Sequence, residues 1–340
     1  MIVTNSLSGG GAERSMNLIC NELTNRGWPI ALVTLNAGHA DHVMPICEVF
    51  PIERQWRSGA LQTLSAIRKF KAVVDLWDPD FLVLNCDLPE LFGAVTQGTQ
   101  KVIVVEHTSR PWSQRRLLGL LTRSLLRFRK SIWVAVSADL TIWPFGFKAS
   151  SVLVNPIVFG LMSKIDTHKI DILRLVFIGR LSPEKRPELA LQIAQVTNLP
   201  LVVIGDGPLR EDLAKIATLN SKGVEFLGRI ENPWSEFRLG DLLLVTSEYE
   251  GDGLVVIEGL HGNVPMLLSD VPDFHRFEFP DRNYCKTVEE FVNKIDTFRG
   301  ELNQLMIPPE LSQKILEARS LVAIGNLWED LLKSFSKTSD

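Results

Sequence analysis

The sequence predicts an α/β protein of two domains, each a parallel sheet flanked by helices. Three observations carry this. The chain has 340 residues, more than one hydrophobic core ordinarily serves. Short apolar runs alternate with amphipathic stretches along most of it, the pattern of strand–helix–strand units. Hydrophobic residues make up 45% against 22% charged, enough for sizeable cores. With 40 acidic against 36 basic residues, no global nucleic-acid footprint is visible. Cys20, Cys47, Cys86 and Cys285 lack C-x-x-C spacing and read as reduced, buried thiols of a cytoplasmic protein. No apolar run reaches the ~18 residues of a membrane span. Met1 leads straight into a strand, so no signal peptide is expected.

Taken in order, residues 2–5 form a very short first strand, and S-L-S-G-G-G-A-E-R leads into an amphipathic helix ending near Thr24. Strand, glycine loop and helix make the phosphate-binding geometry of a Rossmann-like unit. The dinucleotide fingerprint fails, since Gly9 and Gly11 fit its first two positions but Arg14 occupies the third. The turn around Gly10 and Gly11 therefore either meets a phosphate or merely permits tight strand-to-helix packing. A strand at 30–36, a helix at 61–77, a strand at 81–86 and a helix from Pro89 follow. The next strand, K-V-I-V-V-E-H, puts His107 at a carboxyl end, where parallel sheets bind ligands. His107 is either structural or a site residue; no second His or Cys has metal-ligand spacing.

Residues 110–130 carry seven basic side chains and no acidic one. At about 100° per residue, Arg116, Arg123, Arg127 and Lys130 share one face, with Leu117, Leu121, Leu125 and Phe128 nearly opposite. One reading is a solvated basic face with the apolar side on the core. The other is a basic surface for a membrane or a lipid diphosphate. Residues 131–138 and 151–156 read as the last strands of this half, with the linker beginning near Asn155 and Pro156.

The second half repeats the alternation. After a strand at 173–179, Arg180 and Lys185 would project at its carboxyl end, before a helix begun by Pro187. Two cations there suit a diphosphate on which negative charge grows, or else are ordinary surface charge, the reading taken for Arg186. Residues 201–217 form strand, turn and helix, with an architectural turn G-D-G-P at 205–208. A strand at 224–230 follows, with Arg229 and Ile230 at its end. The most informative stretch is S-E-Y-E-G-D-G-L-V-V-I-E-G-L-H-G-N-V-P-M-L-L-S-D, residues 247–270. It reads as a strand end, an acidic glycine-punctuated loop, a helix at 254–260 and another buried strand. Glu250 and Glu258 bracket the loop-to-helix junction with seven residues between them. Gly251 and Gly253 let backbone approach a ligand, and the amides near Leu254 begin a helix without internal partners. Such a terminus attracts phosphate, and carboxylates beside it suit sugar hydroxyls. Singly, each glutamate reads equally as a loop or surface charge. Residues 288–295 form a helix, and a last one ends in N-L-W-E-D-L-L-K-S-F.

The order E-G-x-G-x-x-x-x-E from Glu250, then G-x-x-P and a strand ending Ser-Asp, closely resembles the donor-sugar motif of glycosyltransferase family 4. G-G-G-A-E-R, E-H-T at 106–108, V-A-V-S-A-D-L, V-L-V-N-P-I, G-R-L-x-x-x-K, G-D-G-P and the closing helix are similar to that family's strings, in order along nearly the whole chain. Asp252 stands where an aromatic is common, Gly259 replaces a usual alanine, and Val271-Pro272-Asp273 replaces a glycine pair. These departures line the expected sugar pocket. The first strand is short, as a trimmed start or a loose N-terminal edge would make it.

The resemblance implies the GT-B fold, two Rossmann-like domains facing across a cleft: 1–156 on the acceptor side, 157–322 binding the nucleotide sugar, and 323–340 as a helix returning to the first domain. It implies a retaining, metal-independent hexosyltransferase of cell-surface polysaccharide (lipopolysaccharide or capsule) biosynthesis, needing no cofactor. Its donor would be a nucleotide sugar, a UDP-linked one foremost, and its acceptor a lipid-linked glycan. By resemblance Glu250 holds hydroxyls of the donor sugar and Glu258 the ribose. Arg180, Lys185 and the helix N-terminus near Gly253 stabilise the departing diphosphate, and Gly251, Asp252, Gly253 and Leu254 bind the donor. Gly10 and Gly11 lie against the donor phosphate, Arg229 and Ile230 meet the base, and His107 contacts donor or acceptor. Arg116, Arg123, Arg127 and Lys130 would hold the lipid acceptor or an anionic membrane, placing the protein peripherally on the cytoplasmic face of the inner membrane. Two alternatives stay open: a GT-B-fold nucleotide-sugar epimerase, and a non-catalytic nucleotide-sugar or lipid-binding protein.

Overall fold

The computed structural model describes residues 1–7, 10–38, 44–55, 59–96, 98–108, 110–113, 115–140, 142–143, 147–157, 171–220 and 223–336. Gly9, expected in the glycine turn, lies outside them. The chain divides into two compact units, Met1–Pro156 with Arg319–Asp340, and Ile157–Ala318. The return to the first unit was expected at residue 323; it falls at Arg319 instead.

Unit 1 is built on β1 (Ile2–Thr4), β2 (Ala31–Asn36), β3 (Glu48–Arg54), β4 (Phe81–Asn85), β5 (Lys101–Glu106), β6 (Ile132–Ala135), a small antiparallel pair β7 (Ile142–Trp143) and β8 (Phe147–Lys148), and β9 (Ser151–Val152). Its helices are α1 (Gly11–Asn25), α2 (Ala60–Trp77), α3 (Asp87–Val95) and α4 (Arg116–Phe128). The main sheet runs β3-β2-β1-β4-β5-β6-β9, every pairing parallel. Alternate strand residues face opposite layers. Ile2, Leu32, Val83, Ile103 and Val105 pack with Met16, Ile19 and Leu23 of α1. Val3, Val33, Leu84 and Val104 pack with Phe70 and Val74 of α2, Phe92 of α3 and Leu126 of α4. Both faces are covered, so the strands read as unbroken apolar runs.

Unit 2 repeats the plan with β10 (Arg174–Ile178), β11 (Leu201–Ile204), β12 (Val224–Gly228), β13 (Asp241–Val245), β14 (Met266–Ser269) and β15 (Tyr284–Cys285). The order is β12-β11-β10-β13-β14-β15, again all parallel. Around it lie α5 (Pro187–Thr197), α6 (Arg210–Asn220), α7 (Leu254–His261), α8 (Pro272–His275), α9 (Val288–Thr297) and α10 (Pro309–Ala318). The closing helix α11 (Leu321–Ser336) belongs to unit 1, burying Ile324 and Trp328 beside α1. The Arg26 guanidinium and the Trp28 indole both donate to Glu329 at 2.9 Å, fastening it.

In both units the strand order reverses beside the first strand, between β1 and β4 and between β10 and β13. Ligands of such sheets bind outside the strand carboxyl ends at that switch point.

Among the elements that depart from expectation are β3, α10, β9 and β1. β3 was not foreseen: Pro51 argues against a strand, but β3 is an edge strand, where a missing N–H is tolerated. α10 was not foreseen either. The strand expected over 151–156 pairs only at Ser151–Val152. The short β1 is no loose edge, for it is paired on both sides in mid-sheet.

Candidate functional site

At the carboxyl end of β10, Gly179 and exposed Arg180 are followed by buried Leu181 and a 3₁₀ turn, Pro183–Lys185. The turn after β11 braces this loop, backbone against backbone. A Cβ on Gly205 would lie 1.9 Å from the Gly179 carbonyl oxygen, and one on Gly207 2.4 Å from that of Leu181. The Leu181 amide donates to the Asp206 carbonyl and the Leu209 amide to the Leu181 carbonyl, each at 3.0 Å. Glycine is required here by the close approach, so G-D-G-P is architecture.

β13 lies next to β10, and its following loop is sewn to the first. The Thr246 hydroxyl donates to the carbonyls of Lys185 and Arg186 at 2.9 and 3.0 Å. The Glu248 amide donates to the Glu184 carbonyl at 2.8 Å. With the backbones tied, the Lys185 ammonium donates to both carboxylate oxygens of Glu250. The Glu250 amide in turn donates to Asp273 Oδ2 at 2.7 Å, from the first turn of α8. Glu250 and Asp252 are both buried. A carboxylate has about four lone-pair sites, so one held by a lysine keeps directions free to accept sugar hydroxyls.

The loop ends at Gly253, the N-cap of α7, in a left-handed conformation with φ 70°. Leu254 and its neighbours then pack with Phe274 and Phe277. One turn further along α7, Glu258 accepts the Trp234 indole N–H at 2.8 Å. Trp234 lies in the 3₁₀ turn Pro233–Glu236, just past Arg229 and Ile230. That contact joins Glu258 to the turn that follows Arg229 and Ile230. Arg229 is exposed, whereas Ile230 packs on Val176, Val202 and Ile204.

In unit 1, Gly10 is the N-cap of α1, and its amide donates to Glu13 Oε2 at 3.1 Å. Asn5 donates to the other Glu13 oxygen at 3.2 Å, so the glutamate of G-G-G-A-E-R locks strand end to helix start. Gly11 opens the helix itself. His107 follows β5, half-buried, and the Thr108 amide donates back to Glu106 Oε1 at 3.1 Å.

The basic helix is oriented differently from expectation. Arg123, expected on the lipid-facing surface, is buried, its side chain 1% exposed. It donates Nε to Glu90 Oε2 at 2.8 Å and Nη2 to Glu90 Oε1 and Glu106 Oε2 at 2.6 Å, and it lies over the Trp133 ring. The Trp112 indole also donates to Glu90, at 2.8 Å. Burial pushes the Glu90 carboxyl up to about 7, against the pull of Arg123. Arg116, Arg127 and Lys130 are exposed. Arg123 therefore leaves the acceptor set: it supports the strand end that carries His107.

Residues 165–318 match the family "Glycosyl transferases group 1". Unit 2 carries a group 1 glycosyltransferase domain. The protein is accordingly an enzyme, a glycosyltransferase. An α-1,4-N-acetyl-D-galactosaminyltransferase of Campylobacter jejuni, named as acting on a diphospho-undecaprenol-linked glycan, is 27% identical, covering 78% of this chain and 77% of its own. The D-rhamnosyltransferase WbpZ of Pseudomonas aeruginosa is 26% identical over 77% of this chain and 74% of its own. The crystal structure of Anabaena HepE with UDP and glucose superposes with TM-score 0.78, covering 98% of both chains at 18% identity. This last likeness bears out the expected GT-B fold.

Within the glycosyltransferase domain the structure brings together Lys185 with Glu250, and Glu258 with Trp234. Trp234 and Asp273 were not among the expected site residues. Asp273 was visible only as a departure from the usual glycine pair, and a tryptophan 24 positions before Glu258 is no signal by itself.

Proposed function

We propose that this glycosyltransferase moves a sugar, with retention of configuration, from a UDP-linked donor to a lipid-linked glycan in cell-surface polysaccharide biosynthesis. The observation that carries the reading is the Lys185, Glu250 and Asp273 assembly at the unit 2 switch point. A hydroxyl-accepting carboxylate touches the cation suited to the diphosphate, as a donor whose sugar adjoins its diphosphate requires. In this reading Glu250 accepts sugar hydroxyls and Glu258 the ribose. Arg180, Lys185 and the start of α7 at Gly253 stabilise the departing charge. The bond from the anomeric carbon to diphosphate oxygen breaks, and a bond to the acceptor oxygen forms on the same face. The acceptor proton passes to the leaving diphosphate oxygen, so no side-chain nucleophile is needed. The two cations supply the charge that a metal otherwise would, which supports the metal-independent reading. Gly10, Gly11 and His107, at strand carboxyl ends of unit 1, are the residues proposed to meet the donor or acceptor from that unit.

The UDP part is supported by HepE, whose structure holds UDP, and the lipid-linked acceptor by the named substrate of the Campylobacter relative. No described helix is long and apolar enough to cross a membrane. In this reading such an acceptor is met by peripheral attachment to an anionic surface, at the cytoplasmic face of the inner membrane. The test is a screen of nucleotide sugars against lipid-diphosphate-linked glycans in detergent, with wild type and Glu250→Ala. Transfer of one sugar that disappears in the variant is expected. A chain that no nucleotide sugar stabilises against heat would overturn the reading.

A further inference from the structure

Glu258 stands one turn into α7, and its Oε2 accepts the Trp234 indole N–H at 2.8 Å. The glutamate is half-buried, whereas the tryptophan is only 6% exposed. The contact is therefore unequal: a ring fixed in the core grips a side chain at its rim.

What fixes the ring can be traced residue by residue. Arg174, which opens β10, pairs with Asp241, which opens β13, and also donates to the Glu236 carbonyl at 2.7 Å. The Arg238 amide donates to Asp241 Oδ2 at 2.7 Å, so the turn carrying Trp234 is tied to two strand starts. The indole lies against Phe237, centroids 5.6 Å apart, within the buried cluster of Leu243, Val256 and Met266. Its far edge borders Gly259. A Cβ there would lie 3.5 Å from Trp234 Cη2 and 3.1 Å from Met266 Cε. Glycine inside a helix is unfavourable relative to alanine, and here it leaves room for the ring and the methionine. Gly259, which departs from the usual alanine, and Trp234 thus form one feature, a seat for the indole.

A buried indole N–H needs an acceptor, and any carbonyl would serve. The acceptor supplied is instead a carboxylate one turn from Gly253, with about four lone-pair sites of which the indole takes one. A glutamate left to sample its rotamers must be ordered when a ligand binds, at a cost in affinity. We infer that Trp234 is a positioning residue, whose indole sets the Glu258 carboxylate in the orientation that accepts the ribose hydroxyls of UDP. On the ribose role proposed for Glu258, on which this rests, the carboxylate meets the nucleotide with its rotamer already set.

The experiment is calorimetric titration of the full chain with UDP and with 2′,3′-dideoxy-UDP, which lacks both ribose hydroxyls. Trp234→Phe keeps an apolar ring in the seat and removes the N–H. Trp234→Met, unbranched and adaptable, is a second donor-free variant, and melting curves show that each is folded. Wild type is expected to bind UDP at least about tenfold more tightly than the dideoxy nucleotide, the worth of hydrogen bonds to a carboxylate. The donor-free variants should lose about two- to tenfold in UDP affinity, the cost of ordering one long side chain, and nothing towards dideoxy-UDP. Added to Glu258→Ala, Trp234→Phe should cost UDP affinity nothing further. Donor-free variants that bind both nucleotides equally more weakly would show a packing role only, and wild-type UDP affinity would show none; either overturns the inference. A UDP preference lost in Glu258→Ala but kept in the donor-free variants defeats the positioning role alone. A preference kept in Glu258→Ala, or wild type that binds neither nucleotide, defeats the ribose reading and the inference with it.

Discussion

Lys185 and Glu250, which stand 65 positions apart in the chain, meet as an ion pair in which the ammonium touches both carboxylate oxygens. The parallel order β10-β13 makes this possible, placing the two strand ends side by side and tying their loops through Thr246. Each side chain occupies the other's charge.

That pairing separates two variants. Lys185→Met should weaken binding of UDP and of the UDP-sugar alike, because its proposed partner is the diphosphate. Glu250→Gln should leave UDP binding near wild type and lower kcat/KM by about 10²–10³. Calorimetric titration with both ligands checks this. Equal loss of UDP affinity in both variants would place Glu250 on the diphosphate.

In the proposed reading Asp273 acts through Glu250, whose amide donates to it. A hydrogen bond to a charged acceptor contributes about 1.5–3 kcal/mol, so Asp273→Ala should lower kcat by about tenfold or more, with UDP affinity unchanged. Asp273→Asn keeps an acceptor oxygen for the Glu250 amide and should restore most of the loss. An alanine variant with wild-type kcat would show the contact to be idle.

The buried cluster in unit 1 should make stability depend on pH. One guanidinium, Arg123, serves Glu90 and Glu106, and burial raises both carboxyls as it does neighbouring Asp87. Glu90 rises from 4.5 to about 7. A raised carboxyl binds its proton more tightly in the folded state, so its contribution is full below pH 4.5 and is lost as pH rises through about 7. The melting temperature should fall across that window, and Glu90→Gln should flatten the fall. Arg123→Met, leaving two buried carboxylates unmatched, should cost about 3–5 kcal/mol. A melting temperature flat from pH 4.5 to about 7 would contradict the assignment.

The same cluster shows where reading the sequence stops. Period and burial reveal strands such as Lys101–Glu106 because parallel strands are apolar on both faces. Helical periodicity shows that α4 has two unlike faces, but it does not say which one is inside. That depends on Glu90 and Glu106, 33 and 17 positions away from Arg123. The hydrophobic rule points the leucines inward, and a desolvated ion cluster overrules it. β3 was hidden for a related reason: an edge position tolerates Pro51, and edge status is a property of the whole sheet. In unit 2 the string from Glu250 to Glu258 was legible because its spacing is local. The Lys185 pairing and the Asp273 contact were not, since both depend on strand order.

The glycines offer a final discrimination between architecture and ligand contact. Gly253 has φ 70°, and a Cβ there would meet Phe277 Cε2 at 3.3 Å. Gly253→Ala should therefore destabilise by about 1–2 kcal/mol. Gly10 is different: its φ of −86° suits any residue, and the nearest atom to an added Cβ is Glu13 Oε2 at 4.0 Å. Alanine is a poorer N-cap than glycine by about 0.5–1 kcal/mol, while lowered unfolded-state entropy returns about 0.4–1 kcal/mol. The two nearly cancel, so Gly10→Ala should melt within a degree or so of wild type by this balance. Any rise in donor KM then reports a ligand crowded by the new methyl group. About a tenfold rise is expected if the donor phosphate lies against this turn, the energy of one displaced contact. An unchanged KM at unchanged stability would remove Gly10 from the donor site and leave its glycine without a structural reason.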